Sequence, residues 1–171
     1  METLVTRRSF LAGGTTLGFA IGATGLLGVS RAAAQAPADL SGWVGIAPDG
    51  ATRILFPSTE MGQGSSTALP LILAEEMDAD WDRVTVDQLD RDDRAFGNPL
   101  FGGILYTAGS TGVSGYFDAL RLAGAEVRAV LLRAAAAEWG VPVAELDTEP
   151  GAVLHAATGR RLGYGEIAAL P

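Results

Sequence analysis

Residues 59–67 read Thr59-Glu60-Met61-Gly62-Gln63-Gly64-Ser65-Ser66-Thr67, two glycines around a glutamine directly ahead of an apolar run. This stretch decides the fold because the periodicity changes across it. Upstream, Trp43-Val44-Gly45-Ile46 and Arg53-Ile54-Leu55-Phe56 flank Ala47-Pro48-Asp49-Gly50, the pattern of a β-hairpin closed by a Pro-Asp-Gly turn. Downstream, Ala68, Leu69, Ile72, Leu73, Glu76 and Met77 follow the spacing of an amphipathic helix. Ser65, Ser66 and Thr67 offer N-cap hydroxyls. Pro70 is expected in the first turn, where its missing N–H costs little. Residues 83–89, with Val84 and Val86 alternating against polar neighbours, read as a strand, so the local plan is strand, helix, strand.

Further along, residues 90–107 show no clear period and carry Gly97, Asn98, Pro99, Gly102 and Gly103. A loop of that length in a compact domain is functional or disordered, and Phe96, Phe101 and Tyr106 argue against disorder. A second helix is expected from just after Ser110 to about Trp139, with Val113, Phe117, Leu120, Val127, Val130 and Leu131 on one side and Gly140-Val141-Pro142 stopping it. Residues 145–155 read as a hairpin turning at Pro150-Gly151, followed by a turn at residues 158–160 and a short helix over residues 164–169. The fold class is α+β: a β-hairpin followed by strand-helix-strand-helix units.

The chemistry of the opening stretch narrows by elimination. Gly62-Gln63-Gly64-Ser65-Ser66-Thr67 begins like a dinucleotide fingerprint but has threonine in place of the third glycine. A P-loop needs a lysine, and the chain has none. What remains is a glycine loop whose amides approach a ligand at a helix N-terminus, with the Gln63 amide able to donate and accept; the alternative is a structural turn. Thr107-Ala108-Gly109-Ser110-Thr111-Gly112 repeats the signal. A non-catalytic exported α+β module whose glycine turns are structural is the second reading; the Ala108-x-Ser110-x-Gly112 core also approaches a nucleophile elbow, so a serine hydrolase using Ser110 and the only histidine, His155, is the third. Asp78-Ala79-Asp80-Trp81-Asp82 imitates the start of a calcium loop but has Arg83 and Leu89 where glycine and glutamate are required.

Composition bounds the partners. The 171 residues include no cysteine, and all 12 basic residues are arginine, so an iron–sulfur cluster would have to sit on another subunit. Thr6-Arg7-Arg8-Ser9-Phe10-Leu11 places a twin arginine before the uncharged residues 11–30, and Ala32-Ala33-Ala34 offers a small-residue cleavage site. These features indicate an export signal over residues 1–34, a linker over residues 35–41 and a module over residues 42–171, with periplasmic localisation by the twin-arginine route. An uncleaved anchor is the alternative, since roughly 20 residues span a bilayer. Removing residues 1–34 takes away three arginines and Glu2, leaving 9 basic against 19 acidic residues and a net charge of −10. That balance excludes ordinary nucleic-acid binding.

Taken in order, the segments TEMGQGSSTALPLILAEEMDADWDRVTV, TAGSTGVSGYFDALRLAGA and ATGRRLGYGEIA resemble the molybdopterin-binding subunit of the xanthine dehydrogenase and aldehyde oxidoreductase family. The likeness is to its exported branch, which includes isoquinoline 1-oxidoreductase beta subunits. The resemblance implies a molybdopterin cofactor in its cytosine dinucleotide form, and hydroxylation of aromatic heterocycles or aldehydes with oxygen from water. It also implies electron transfer to a small partner subunit with [2Fe–2S] clusters. Gly62, Gln63, Gly64, Gly109, Ser110 and Thr111 would then contact the cofactor. The family's essential glutamate base has no counterpart in the chain. Glu166, in Tyr164-Gly165-Glu166-Ile167-Ala168, belongs to a different motif, so no catalytic residue is assigned. The chain is expected to be the N-terminal portion of a longer subunit, and the remainder of that subunit its first partner.

Overall fold

A computed structural model of the chain describes residues 17–22, 25–31, 42–89 and 94–170. The twin arginine, the cleavage site at Ala32-Ala33-Ala34, the linker at residues 35–41 and Pro171 lie outside the described residues. The strands are β1 (Leu17–Gly22), β2 (Gly25–Arg31), β3 (Val44–Ile46), β4 (Thr52–Phe56), β5 (Val84–Gln88), β6 (Asp147–Glu149), β7 (Ala152–His155) and β8 (Arg160–Gly163). The helices are α1 (Ser65–Met77), α2 (Phe117–Trp139) and α3 (Tyr164–Ala168). One sheet has the order β2-β1-β3-β4-β5 and the other β6-β7-β8. The α+β class read from the sequence is the class observed.

The expected first hairpin forms, with Val44 opposite Ile54 and Ile46 opposite Thr52. Its turn is held by the Asp49 carboxylate, which accepts from the Ala51 amide at 2.9 Å. Along β4, Thr52, Ile54 and Phe56 are buried and Arg53 and Leu55 half-buried, the alternation of a strand with one face on the core. β4 and β5 run parallel, from Thr52 opposite Val84 to Phe56 opposite Gln88. A parallel pair needs a long crossover, and α1 supplies it. Arg53 on β4 pairs with Asp87 on β5, tying the half-exposed side of this pair.

Helix α1 buries Leu69, Leu73, Ala74 and Met77, each large side chain contributing about 1.5–3 kcal/mol. Pro70 lies inside the helix rather than in its first turn, so the Ser66 carbonyl, four residues back, has no Pro70 amide to receive. Helix α2 begins at Phe117, later than expected. Residues 111–116 instead form turns, with the Gly115 amide bonded to the Thr111 carbonyl at 2.9 Å and the Tyr116 amide to the Val113 carbonyl at 3.1 Å. Val113 and Phe117, expected on the core side, are exposed at 38% and 41%, whereas Leu120, Val127, Val130 and Leu131 are buried.

The expected C-terminal hairpin is present as β6 and β7. The segment after it adds a third strand, β8, antiparallel to β7, which the arginine pair Arg160-Arg161 hid from the hydropathy pattern. Directly after the meander, the buried hydroxyl of Tyr164 at the start of α3 donates to the Met77 carbonyl at 2.6 Å and docks this end of the chain on α1. The Gly151 amide donates to the Asp78 carbonyl at 2.8 Å alongside it.

Candidate functional site

The C-terminal ends of the parallel strands β4 and β5 open onto a cleft of about 280 Å³. Pro57, Ser58 and Thr59 continue from β4 into it, Gln88 and Leu89 come from the end of β5, and Leu105, Tyr106 and Thr107 close the third side. Crevices at the carboxyl ends of parallel strands are where α/β sheets take ligands, because the chain there turns away and leaves loop backbone exposed.

The two glycine segments flank this cleft. They are joined by Thr107, whose hydroxyl lies 2.9 Å from the Ser58 hydroxyl and accepts from the Thr59 amide at 3.1 Å. Thus the structure brings residues 59–67 and 107–112 to one rim. Of the six residues singled out, Gly62, Gln63, Gly64, Gly109 and Ser110 are exposed and Thr111 is partly buried. They lie on the flanking loops, and the cleft wall itself is made by their neighbours Thr59, Met61 and Thr107.

In the first loop the helix cap differs from the expected serine or threonine. Gly64 is the N-cap residue, with φ of 79°, a left-handed conformation that glycine adopts without steric cost. Its lack of a side chain leaves the helix amides to Glu60, four residues upstream. The Glu60 carboxylate accepts from the amides of Gly62 at 2.7 Å, Gly64 at 3.0 Å and Ser66 at 2.8 Å. These bonds, the Ser66 amide foremost and then Gly64, lower the Glu60 carboxyl to about 2, against an opposing desolvation.

Gln63 is equally engaged. Its Oε1 accepts from the Met61 amide at 2.7 Å, while Nε2 donates to the Thr59 carbonyl at 2.7 Å and to the Ser65 hydroxyl at 2.6 Å. An amide donor on one side and a carbonyl on the other allow only one orientation of the side-chain amide. A ligand meeting Gln63 must exchange one of these bonds or use the remaining lone pair of Oε1.

The second loop has the opposite character. Gly109 and Ser110 both have positive φ, 62° and 56°, and no hydrogen bond among the described residues uses either amide. Thr111 anchors the loop, its hydroxyl donating to the Ala108 carbonyl at 2.8 Å. Beneath it, fully buried Asn98 reaches the Thr111 carbonyl at 3.4 Å and accepts from the Leu100 amide at 3.0 Å. Glu60, Asn98, Ser58 and Thr107 were not singled out in the sequence. A local signal existed for Asn98, which precedes Pro99 as a cap does, and for Glu60, an acid just ahead of a helix start.

Three further expectations are settled by geometry. Ser110 is not joined to His155: the imidazole has Nδ1 2.8 Å from the Thr158 hydroxyl and Nε2 3.1 Å from Glu145, and is buried at 3% exposure. The nucleophile–base contact that a serine hydrolase requires is therefore missing, and that reading is corrected. Glu166 accepts from the Gly163 amide at 2.6 Å and caps α3. Asp80, in the calcium-like run, caps a short turn by accepting from the Asp82 amide at 3.2 Å.

The two loops offer different chemistry to a ligand. The second loop offers unspent amides suited to an anionic or oxygen-rich group. The first offers Gln63 and a glycine edge, but the amides of Gly62, Gly64 and Ser66 are taken by Glu60.

Known proteins share the sequence and fold of this chain. The family model described as a molybdopterin cofactor-binding domain matches residues 6–170. An isoquinoline 1-oxidoreductase subunit beta of Brevundimonas diminuta is 50% identical over 127 residues, which is 74% of this chain and 16% of that protein. A membrane-bound aldehyde dehydrogenase named for pyrroloquinoline quinone, from Gluconacetobacter polyoxogenes, is 33% identical over 127 residues, 74% of this chain and 15% of that protein. Among solved structures, a Cu,Mo-CO dehydrogenase in the carbon monoxide reduced state aligns with a TM-score of 0.54 at 18% identity, covering 72% of this chain and 15% of its own. Quinoline 2-oxidoreductase from Pseudomonas putida 86 aligns with a TM-score of 0.52 at 18% identity, covering 73% and 15%. At that identity the two structures speak for the fold alone. The chain thus spans about one sixth of the length of the relatives it matches.

Proposed function

The chain belongs to the molybdopterin cofactor-binding domain family, and from that premise we propose that it is the cofactor-positioning portion of a molybdenum hydroxylase acting on aromatic heterocycles or aldehydes. The observation that carries this reading is the junction of the two glycine loops through Ser58, Thr59 and Thr107 across the cleft at the ends of β4 and β5. When bound, the molybdenum cofactor, in its cytosine dinucleotide form, supplies hydroxylation with oxygen from water. Gly62, Gln63 and Gly64 would hold its uncharged part, and Gly109, Ser110 and Thr111 its anionic part, which keeps the cofactor's charge away from Glu60.

The essential base and most of the substrate pocket would come from the rest of a longer subunit, and electrons would leave to a small [2Fe–2S] partner. The absence of cysteine supports placing the clusters elsewhere. We place the assembly in the periplasm, exported by the twin-arginine route. Cleavage after Ala34 would remove β1 and β2 and leave β3 as a sheet edge, a strand of three residues too short to template pairing with another chain.

The test is metal and pterin analysis of the protein produced with its genomic neighbours. Molybdenum and a fluorescent oxidised pterin in equal amounts are expected, and Gln63→Ala should lower both several-fold. A redox-cycling quinone with neither molybdenum nor pterin would overturn the reading in favour of the cofactor for which the Gluconacetobacter relative is named.

A further inference from the structure

Glu60 is the one charged side chain placed inside the first loop, and its position runs against the use expected of that loop. A helix N-terminus with a glycine turn is ordinarily an anion site. Here three of its amides already hold a carboxylate of the same chain. The same carboxylate extends a relay: the buried Ser65 hydroxyl donates to Glu60 Oε2 at 3.4 Å and accepts from Gln63 Nε2 at 2.6 Å. Gln63 in turn closes on Thr59 and Met61, and the Thr59 amide is bonded to Thr107 of the second loop. The carboxylate thus sits at the start of a network of hydrogen bonds that runs through Thr59 to the second loop.

We propose that Glu60 is a positioning and specificity-determining residue, an internal anion that occupies three amides of the first loop, orients Gln63 through Ser65, and restricts that loop to uncharged ligand groups. An anion approaching the loop meets a like charge, and three of the loop's amides, those of Gly62, Gly64 and Ser66, are already taken by it. A neutral polar ring meets a glutamine held in one orientation. This inference deepens the cofactor reading by assigning ligand polarity to each loop. The loop's own chemistry is testable without the cofactor, so failure of the pterin analysis and failure of the proposal are separate outcomes.

The experiment is amide and side-chain NMR of the full chain, titrated with pH and with inorganic phosphate, for wild type, Glu60→Ala, Glu60→Gln and Ser65→Ala. In the wild type, the amides of Gly62, Gly64 and Ser66 are expected to shift together with one acidic midpoint and to ignore millimolar phosphate. Glu60→Ala should bind phosphate at those amides about tenfold more tightly, the size of one like-charge repulsion removed at a solvated site. It should also move the Gln63 side-chain NH₂ signals. Glu60→Gln should keep the Gln63 signals in place while losing the common midpoint, a rescue that a purely steric role would not divide in this way. Ser65→Ala should move the Gln63 signals and leave the midpoint. Phosphate binding equally at the three amides in wild type and Glu60→Ala would overturn the proposal. So would Gln63 signals unmoved in both Glu60→Ala and Ser65→Ala; the two variants guard against one that fails to fold.

Discussion

At the scale of single residues, the chain separates polar groups that hold the fold from those that hold the site. Tyr164 and Tyr116 are both buried to 1% exposure, yet only one hydroxyl is bonded. Tyr164 donates to the Met77 carbonyl, one of the C-terminal carbonyls that α1 cannot satisfy itself, while the Tyr116 hydroxyl has no partner among the described residues. Burial raises both phenols, that of Tyr116 to about 12. Tyr164→Phe should therefore cost about 1–3 kcal/mol, because it leaves a buried carbonyl unpaired. Tyr116→Phe should be neutral or stabilising, and urea unfolding of the two variants side by side measures the difference. Glu60 gives a pH signature at the same scale. Its carboxyl is depressed from 4.5 to about 2 in the fold, so the stabilisation it brings is complete above the ordinary carboxylate range and is lost as pH falls from about 4.5 toward 2. The protection of the Gly64 and Ser66 amides relative to intrinsic exchange should fall over that window and not above it, and Glu60→Gln should flatten the dependence.

At the scale of elements, the crossing of α1 and α2 depends on Gly124. A Cβ there would lie 2.5 Å from the Leu73 carbonyl oxygen and 2.7 Å from the Glu76 Cβ, and the Leu73 carbonyl belongs to a helix that cannot shift alone. Gly124→Val should destabilise by about 1–3 kcal/mol through overpacking. Gly124→Ala should cost less, since alanine regains up to about 1 kcal/mol of helix propensity; thermal and urea unfolding check both. The hairpins and the β4-α1-β5 unit were legible in the sequence, because alternation, the Pro-Asp-Gly and Pro150-Gly151 turns and the spacing of Leu69, Leu73 and Met77 are local signals. The start of α2 was not, since it is set by contacts across the chain: Asn98 clamps Thr111, and a side chain at Gly115 would strike Asn98. For the site, the pairing of the two glycine loops was legible as repeated chemistry, whereas the Thr107 bridge between them rests on hydrogen bonds to residues 48 and 49 positions away. The cap went to Glu60 because Gly64 entered the helix left-handed, a backbone choice that composition does not reveal.

At the scale of the whole molecule, one apolar cluster runs through both sheets and all three helices, taking in Trp43, Ile54, Leu73, Leu131, Val153, Tyr164 and Ile167. The meander of β6, β7 and β8 is fixed to α2 as well, with Arg128 donating to the Thr148 hydroxyl at 2.7 Å and pairing with Asp147 at 3.1 Å. A shared core of this kind couples the parts, because opening the meander would expose the ends of α1 and α2 along with its own strands. Residues 42–170 should therefore unfold in one transition. Two intrinsic probes lie at opposite ends of the coupling. Trp43 packs edge-on against Phe96 at 4.7 Å beside the first sheet, and Trp139 lies under Arg160 at 5.1 Å beside the meander. Each tryptophan retained singly, the other two replaced by phenylalanine, should report the same urea midpoint as far-UV circular dichroism. An earlier midpoint at Trp139 alone would show the meander opening first, and the single-core account would then fail.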